Sequence, residues 1–151
     1  MKSISIDVLI TTFNSEKYIK ETINSVLNQT YKNYKIIIVD DCSTDKTFDI
    51  CKTYRDKYKD KIKLYRLKKN SSSAAIPRNF GIKKCKSEYV AFLDSDDVWM
   101  NDKLEHQVSK ISSSTKLFFT NCKYFKNKKV ISSYIYYFRT LLQIVFTYLI
   151  K

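Results

Sequence analysis

One glycine, one proline and one histidine occur in 151 residues, and each scarcity closes off a class of function. A dinucleotide-binding turn needs several glycines to bring backbone against a pyrophosphate, and a phosphate-binding P-loop needs a glycine-rich turn ending in GK[ST]. Gly81 alone supplies neither. His106 has no partner histidine, and Cys42, Cys51, Cys85 and Cys122 show no CxxC spacing. A zinc site and a disulfide framework are therefore not expected, and the thiols suit a reducing compartment as small buried hydrophobes. Arginine contributes only four of the 28 basic residues, without a basic stripe or a nucleic-acid-binding motif. Nucleic acid is not an expected partner. The first apolar run carries Asp7 and no small-residue cleavage site follows it, so a signal peptide is not expected and a cytoplasmic location is. Acidic residues stop at Glu105; residues 106–151 contain no Asp or Glu.

What is present is a repeated pairing of apolar run and polar cluster. Residues 4–10 (ISIDVLI) predict a strand that ends in Thr11, Thr12, Phe13 and Asn14. Asn14 or Ser15 is placed to cap a helix whose apolar stripe is Ile19, Ile23, Val26 and Leu27. Residues 28–33 form a polar break, and residues 36–39 (IIIV) predict a second strand ending in Asp40 and Asp41. Ser43 is the expected N-cap of the next helix, with Asp45 early in it and Phe48, Cys51, Tyr54 and Tyr58 at helical spacing. A strand over 62–67, a flexible small-residue loop over 70–75, and a short helix with Pro77 in its first turn follow. Gly81 in that helix suggests close packing. The apolar run 89–93 then delivers Asp94, Asp96 and Asp97. Asn101 or Asp102 caps a helix through Leu104, Val108 and Ile111, where His106 is a surface residue, and residues 117–119 predict a fifth strand.

Strands that are unbroken apolar runs alternating with helices indicate a mostly parallel sheet covered on both faces. Ligands of such sheets bind outside the carboxyl ends of the strands. The polar clusters after the strands converge there. Three carboxylates within four residues repel one another unless a cation stands between them, and an all-oxygen donor set suits Mg²⁺ or Mn²⁺. Residues 94–98 also fit the DxDx[TV] pattern of haloacid dehalogenase-like phosphatases, but the further acidic pair that family needs does not follow. IIIVDD resembles the first strand of a response-regulator receiver, which leaves residues 1–33 without a role.

Five stretches together resemble family 2 glycosyltransferases of the GT-A type: ITTFN at 10–14, SVLNQTY at 25–31, IIVDDCSTD at 37–45, PRNFG at 77–81, and AFLDSDDVWMNDKL at 91–104. They run in family order from about residue 5 to 125, with Cys42 in the usual glycine place. The resemblance implies an α/β GT-A, Rossmann-like nucleotide-diphospho-sugar transferase fold over 1–125, incomplete at its C-terminal side. It implies inverting transfer of a sugar, from a UDP-sugar in preference, to a carbohydrate or lipid-linked acceptor in cell-surface polysaccharide or lipo-oligosaccharide synthesis. Carried over, Thr11, Phe13 and Asn14 would hold the donor, with Phe13 packed on the base. Asp41 would accept the base N–H, while Asp40 is structural. Arg78 would lie near the pyrophosphate and Asp94 on the ribose or in the metal shell. Asp96 is the first candidate metal ligand and Asp97 the second. Trp99 reads as a packing residue near enough to touch a sugar.

The family's general base, a carboxylate beyond the DxD element, has no counterpart, because no acid follows Glu105. Residues 101–151 carry nine basic residues against two acidic, and the apolar stretch 130–150 has Arg139 near its centre. The segment 126–151 is thus expected as a basic, then apolar tail: a helix on an anionic membrane surface, a partner-binding helix, a span, or a remnant of truncation. The alternative function is a non-catalytic nucleotide-sugar-binding remnant.

Overall fold

The computed structural model describes residues 4–112, 115, 122–126 and 129–134. They fall into two units divided after Ser112. In the first unit, strands β1 (Ile6–Thr12), β2 (Tyr34–Asp40), β3 (Ile62–Arg66) and β4 (Tyr89–Asp94) alternate with helices α1 (Ile19–Leu27), α2 (Thr47–Lys57), α3 (Ala75–Ile82) and α4 (Lys103–Val108). The strands form one parallel sheet in the order β3-β2-β1-β4. The chain steps outward from β1 to β3 and then returns to the other side of β1. That reversal opens a crevice at the carboxyl ends of β1 and β4, where ligands of open sheets bind.

Period-two alternation divides the strand residues between two cores. Ile6, Val8, Ile10, Ile36, Ile38 and Ile62 face Ile19, Ile23 and Val26 of α1, Cys51 of α2 and Leu104 of α4. Leu9, Ile37 and Val39 face Cys85 and, at the edge, Phe80 and Ile82 of the α3 region. Each such aliphatic side chain stabilises the fold by about 1.5–3 kcal/mol on full burial. Gly81 is close-packed as expected: a Cβ there would stand 2.3 Å from Cδ1 of Leu9. Asp7, a charge within a core strand, accepts hydrogen bonds from the backbone N–H groups of Lys86 (2.6 Å) and Ser87 (2.9 Å), and so anchors the turn into β4.

Several expected caps are not caps. Helix α1 begins at Ile19 with Tyr18 at its N-cap position and no side-chain cap. Asn14 instead accepts from the Thr44 N–H (2.8 Å), and the Ser15 hydroxyl pairs with that of Ser95 (2.7 Å). Helix α2 begins at Thr47, not after Ser43. Asp45 lies before it and accepts from the Thr47 N–H (2.9 Å), while the Ser43 hydroxyl donates to Asp40 (2.5 Å). Asn14 and Ser15 bond distant loops, and Ser43 and Asp45 bond near neighbours, because polar side-chain oxygens bond loop groups as readily as helix ends. Asp102 does stand at the N-cap of α4, without a side-chain bond.

The second unit contains an antiparallel hairpin of β5 (Cys122–Lys126) and β6 (Lys129–Tyr134), with a register shift between Tyr124 and Phe125. This hairpin spans the expected boundary at 125/126, and its second strand takes up the start of the segment expected as a tail. The expected strand at 117–119 and the apolar stretch beyond 134 lie outside the described residues. Among the described residues, no helix is long and apolar enough to cross a membrane.

Candidate functional site

The sheet register brings the polar strand ends side by side. Thr12 pairs with Asp40 across β1 and β2, and Thr11 pairs with Asp94 across β1 and β4. Above them a cleft of about 420 Å³ is lined by Thr11, Thr12, Phe13, Asp41, Ser72 and Pro77, among others. Phe13 is 44% exposed, so its ring offers a face to a ligand instead of filling the core. Thr12 is buried, and its hydroxyl is the one buried side-chain oxygen or nitrogen among the described residues without a hydrogen-bond partner. An orphaned hydroxyl in a cleft wall marks a place for a ligand's polar atom. Thr12 belongs to the polar cluster that ends the first strand, and no local sequence feature sets it apart there.

Asp40 and Asp41 differ in their surroundings. Asp40 is fully buried; it pairs with Arg66 (Nε to Oδ2, 3.2 Å) and accepts from the Ser43 N–H (3.1 Å). Arg66 also donates to the Ser43 carbonyl (2.6 Å) and stacks over Phe48, 4.4 Å from the ring centroid. Asp41 faces the cleft and holds the loop expected to be flexible. Its Oδ2 accepts from Asn70 Nδ2 (3.1 Å) and from the N–H (3.1 Å) and hydroxyl (2.8 Å) of Ser71, and its Oδ1 accepts from the Ser71 N–H alone (3.0 Å). Oδ1 therefore keeps a lone pair for one more donor. Asn14 does not line the cleft; its backbone N–H bonds the Ser43 hydroxyl (3.0 Å), and it stands in the left-handed region at φ 47°.

Cys42, between Asp41 and Ser43, also has a left-handed backbone, φ 62°, which explains why the similar motif carries glycine there. Only half-buried, it is not the core thiol expected, unlike Cys51 and Cys85, whose thiols burial pushes up to about 12. Cys42→Gly is expected to stabilise the protein by about 0.5–1 kcal/mol by removing the Cβ clash. Thermal melting reads this as a rise of roughly 1–4 °C.

The acidic loop follows β4. Arg78 of α3 ion-pairs with Asp94 through Nη2 and Oδ1. Asp94, Asp96 and Asp97 are all exposed, and the Asp97 N–H closes a turn onto the Asp94 carbonyl (3.1 Å). The Asp97 carboxyl is held above the usual range, first by desolvation and then by the charges of Asp96 and Asp94. A cation would relieve that repulsion. Among the described residues no three ligand side chains gather around one point, since Asp94 is turned onto Arg78. Asp96 and Asp97 could serve only an ion that other donors, such as phosphate oxygens, complete, the pattern of Mg²⁺ and similar hard cations. Trp99 is buried with the Lys103 ammonium 4.1 Å from its ring centroid, so it packs and presents no free face. His106 is exposed.

A family model, "Glycosyl transferase family 2", matches residues 7–146. The chain is 45% identical over 103 residues to a putative teichuronic acid biosynthesis glycosyltransferase of Bacillus subtilis, covering 68% of this chain and 40% of that protein. It is 47% identical over 109 residues to a poly(ribitol-phosphate) beta-N-acetylglucosaminyltransferase of Staphylococcus aureus, covering 70% and 32%. Among solved structures, S. aureus TarS residues 1–349 in complex with UDP-GlcNAc is similar with a TM-score of 0.66 and 37% identity over 70% of this chain and 30% of that one. A Pyrobaculum calidifontis mannosyltransferase in complex with GDP-Man and Mn²⁺ shares the fold, with a TM-score of 0.70 at 22% identity over 76% and 34%. The chain thus spans less than half the length of each of these proteins.

Proposed function

Because the chain belongs to glycosyl transferase family 2 and has the GT-A fold, we propose that its first unit binds a nucleotide-diphospho-sugar across the carboxyl edge of the sheet, for inverting transfer to a carbohydrate or lipid-linked acceptor. The observation that carries this reading is the cleft itself, in which the exposed Phe13 ring, the orphaned Thr12 hydroxyl and the Asp41 carboxylate stand together. Phe13 packs on the face of the base, Asp41 Oδ1 accepts the uracil N–H, and Thr12 takes a further polar atom of the nucleoside. A UDP-sugar is the donor proposed first, and the UDP-GlcNAc in the complex of the solved relative supports that choice.

The diphosphate then extends towards β4. Arg78 exchanges Asp94 for a phosphate oxygen, while Asp96 and Asp97 hold Mn²⁺ or Mg²⁺. When bound, that ion supplies Lewis-acid stabilisation to the departing diphosphate. Arg78 adds fixed positive charge on the same side. Asp94, released from Arg78, turns to the ribose or the metal shell. The setting is cell-surface polysaccharide or lipo-oligosaccharide synthesis at the cytoplasmic face of the membrane, with the basic segment 126–151 against its anionic surface.

Calorimetry with UDP and Mn²⁺ tests the donor reading. Metal-dependent heat of binding is expected; no heat with or without Mn²⁺ overturns it. For residues 1–151 taken by themselves a second reading is donor binding without transfer, since residues 106–151 offer no carboxylate as general base. A donor-turnover assay on the 151-residue protein decides between the two: sugar transfer to an added acceptor excludes the second.

A further inference from the structure

We infer that the polar face of α1, with the turn that follows it, is the positioning element of the acidic loop, with Thr22 and Gln29 the side chains that fix where Asp96 and Asp97 stand. Residues 95–102 leave the sheet after β4, so their backbone groups have no strand partner and must be satisfied otherwise. Helix α1 and the turn just after it, with Gln29 and Thr30, satisfy them. Thr22 Oγ1 donates to the Ser95 carbonyl (2.9 Å), and Ser25 Oγ accepts from the Trp99 N–H (3.2 Å). Gln29 donates through Nε2 to the Met100 carbonyl (2.6 Å) and accepts through Oε1 from the Leu104 N–H (2.9 Å). The Thr30 N–H adds a bond to the Asn101 carbonyl (2.8 Å).

Thr22 and Ser25 stand at i and i+3 on one face of the helix, Gln29 follows two residues after its last residue, Leu27, and all three are buried. Alanine at positions 22 and 25 would favour the helix more. Their retention here is explained by the loop they hold. The loop is pinned on both flanks of the acids: at Ser95 by Thr22 and the Ser15 hydroxyl, and from Trp99 to Leu104 by Ser25 and Gln29. Asp96, Asp97 and Val98 bridge these pins and remain exposed. Their carboxylates are therefore aimed by α1 and the turn after it, which carry no ligand of their own. The part of this inference that concerns metal affinity rests on the cation reading given above.

The test replaces Thr22 with valine, which keeps the shape and removes the donor, and with serine, which keeps the donor. Amide hydrogen exchange over residues 95–97 measures positioning without metal, Mn²⁺ titration followed by electron paramagnetic resonance measures its consequence, and thermal melting identifies folded variants. Thr22→Val is expected to speed exchange at 95–97 and to weaken Mn²⁺ binding about 10-fold, as groups that orient a metal ligand do. UDP binding without metal stays unchanged. Thr22→Ser restores exchange and Mn²⁺ affinity to the wild-type values. Gln29→Leu, if folded, has the same effect over 99–104. A folded Thr22→Val protein with wild-type exchange at 95–97 overturns the inference, as does exchange that rises equally in Thr22→Ser. Wild-type protein that takes no Mn²⁺ defeats the cation reading instead, and the exchange result still decides the positioning.

Discussion

Asp96→Ala is expected to cut metal-dependent UDP affinity by about 10- to 100-fold while leaving the fold intact. The size follows from the ligand count: an ion held by one or two carboxylates and donor phosphates loses a principal charge with either one. Asp96 is exposed and makes no hydrogen bond or ion pair among the described residues. Its loss should thus move stability by no more than about 0.5 kcal/mol. Removal also takes one repelling charge from Asp97. Calorimetry with UDP and Mn²⁺, beside a urea denaturation curve, separates the two effects. Equal UDP affinity for wild type and variant at saturating Mn²⁺ would remove Asp96 from the metal site. A shifted urea midpoint would show instead that the loop carries structural weight.

Arg66→Ala is the second large effect, and its direction is on stability. Truncation leaves the fully buried Asp40 carboxylate with only the Ser43 N–H and hydroxyl for partners. Breaking a fully buried ion pair costs about 3–5 kcal/mol, but the Arg66 side chain is 41% exposed, so water replaces part of the lost interaction and about 2 kcal/mol is expected. Loss of the stack on Phe48 adds to this. The melting temperature should fall by about 4–8 °C. Arg66→Lys keeps the charge without the planar fork and should recover only part of the loss. Since Asp40 fixes the turn that carries Asp41, weaker UDP binding should accompany the lower stability. A melting temperature within 1 °C of wild type (by order of magnitude, under about 0.5 kcal/mol) would show that Asp40 does not depend on its arginine.

Much of the site was legible in order along the chain. The apolar runs ending in TTFN, DD and DSDD are local features, and a parallel sheet forces all of their ends to one edge. Gly81 was legible as a packing glycine because nothing else in a helix needs one there. The caps were not. Asn14, Ser15 and Ser43 have cap chemistry, yet the partners they found lie mainly in other loops, Thr44 and Ser95 among them. Nor could sequence spacing tell that Asn70 and Ser71 are held by Asp41.

The sequence by itself determined the family, the alternation of strand and helix, and the identity of the acidic and aromatic residues at the strand ends. Each rests on short-range pattern or on motif order. Only the tertiary structure decided that Thr12 keeps an unpaired hydroxyl, that Asp94 is turned onto Arg78, and that α1 and the turn after it grip the acidic loop through Thr22, Ser25 and Gln29. Those contacts join residues 16 to 75 positions apart. A hydrogen bond across that separation depends on how β1 and β4 are brought together, and no local stretch of sequence contains that information.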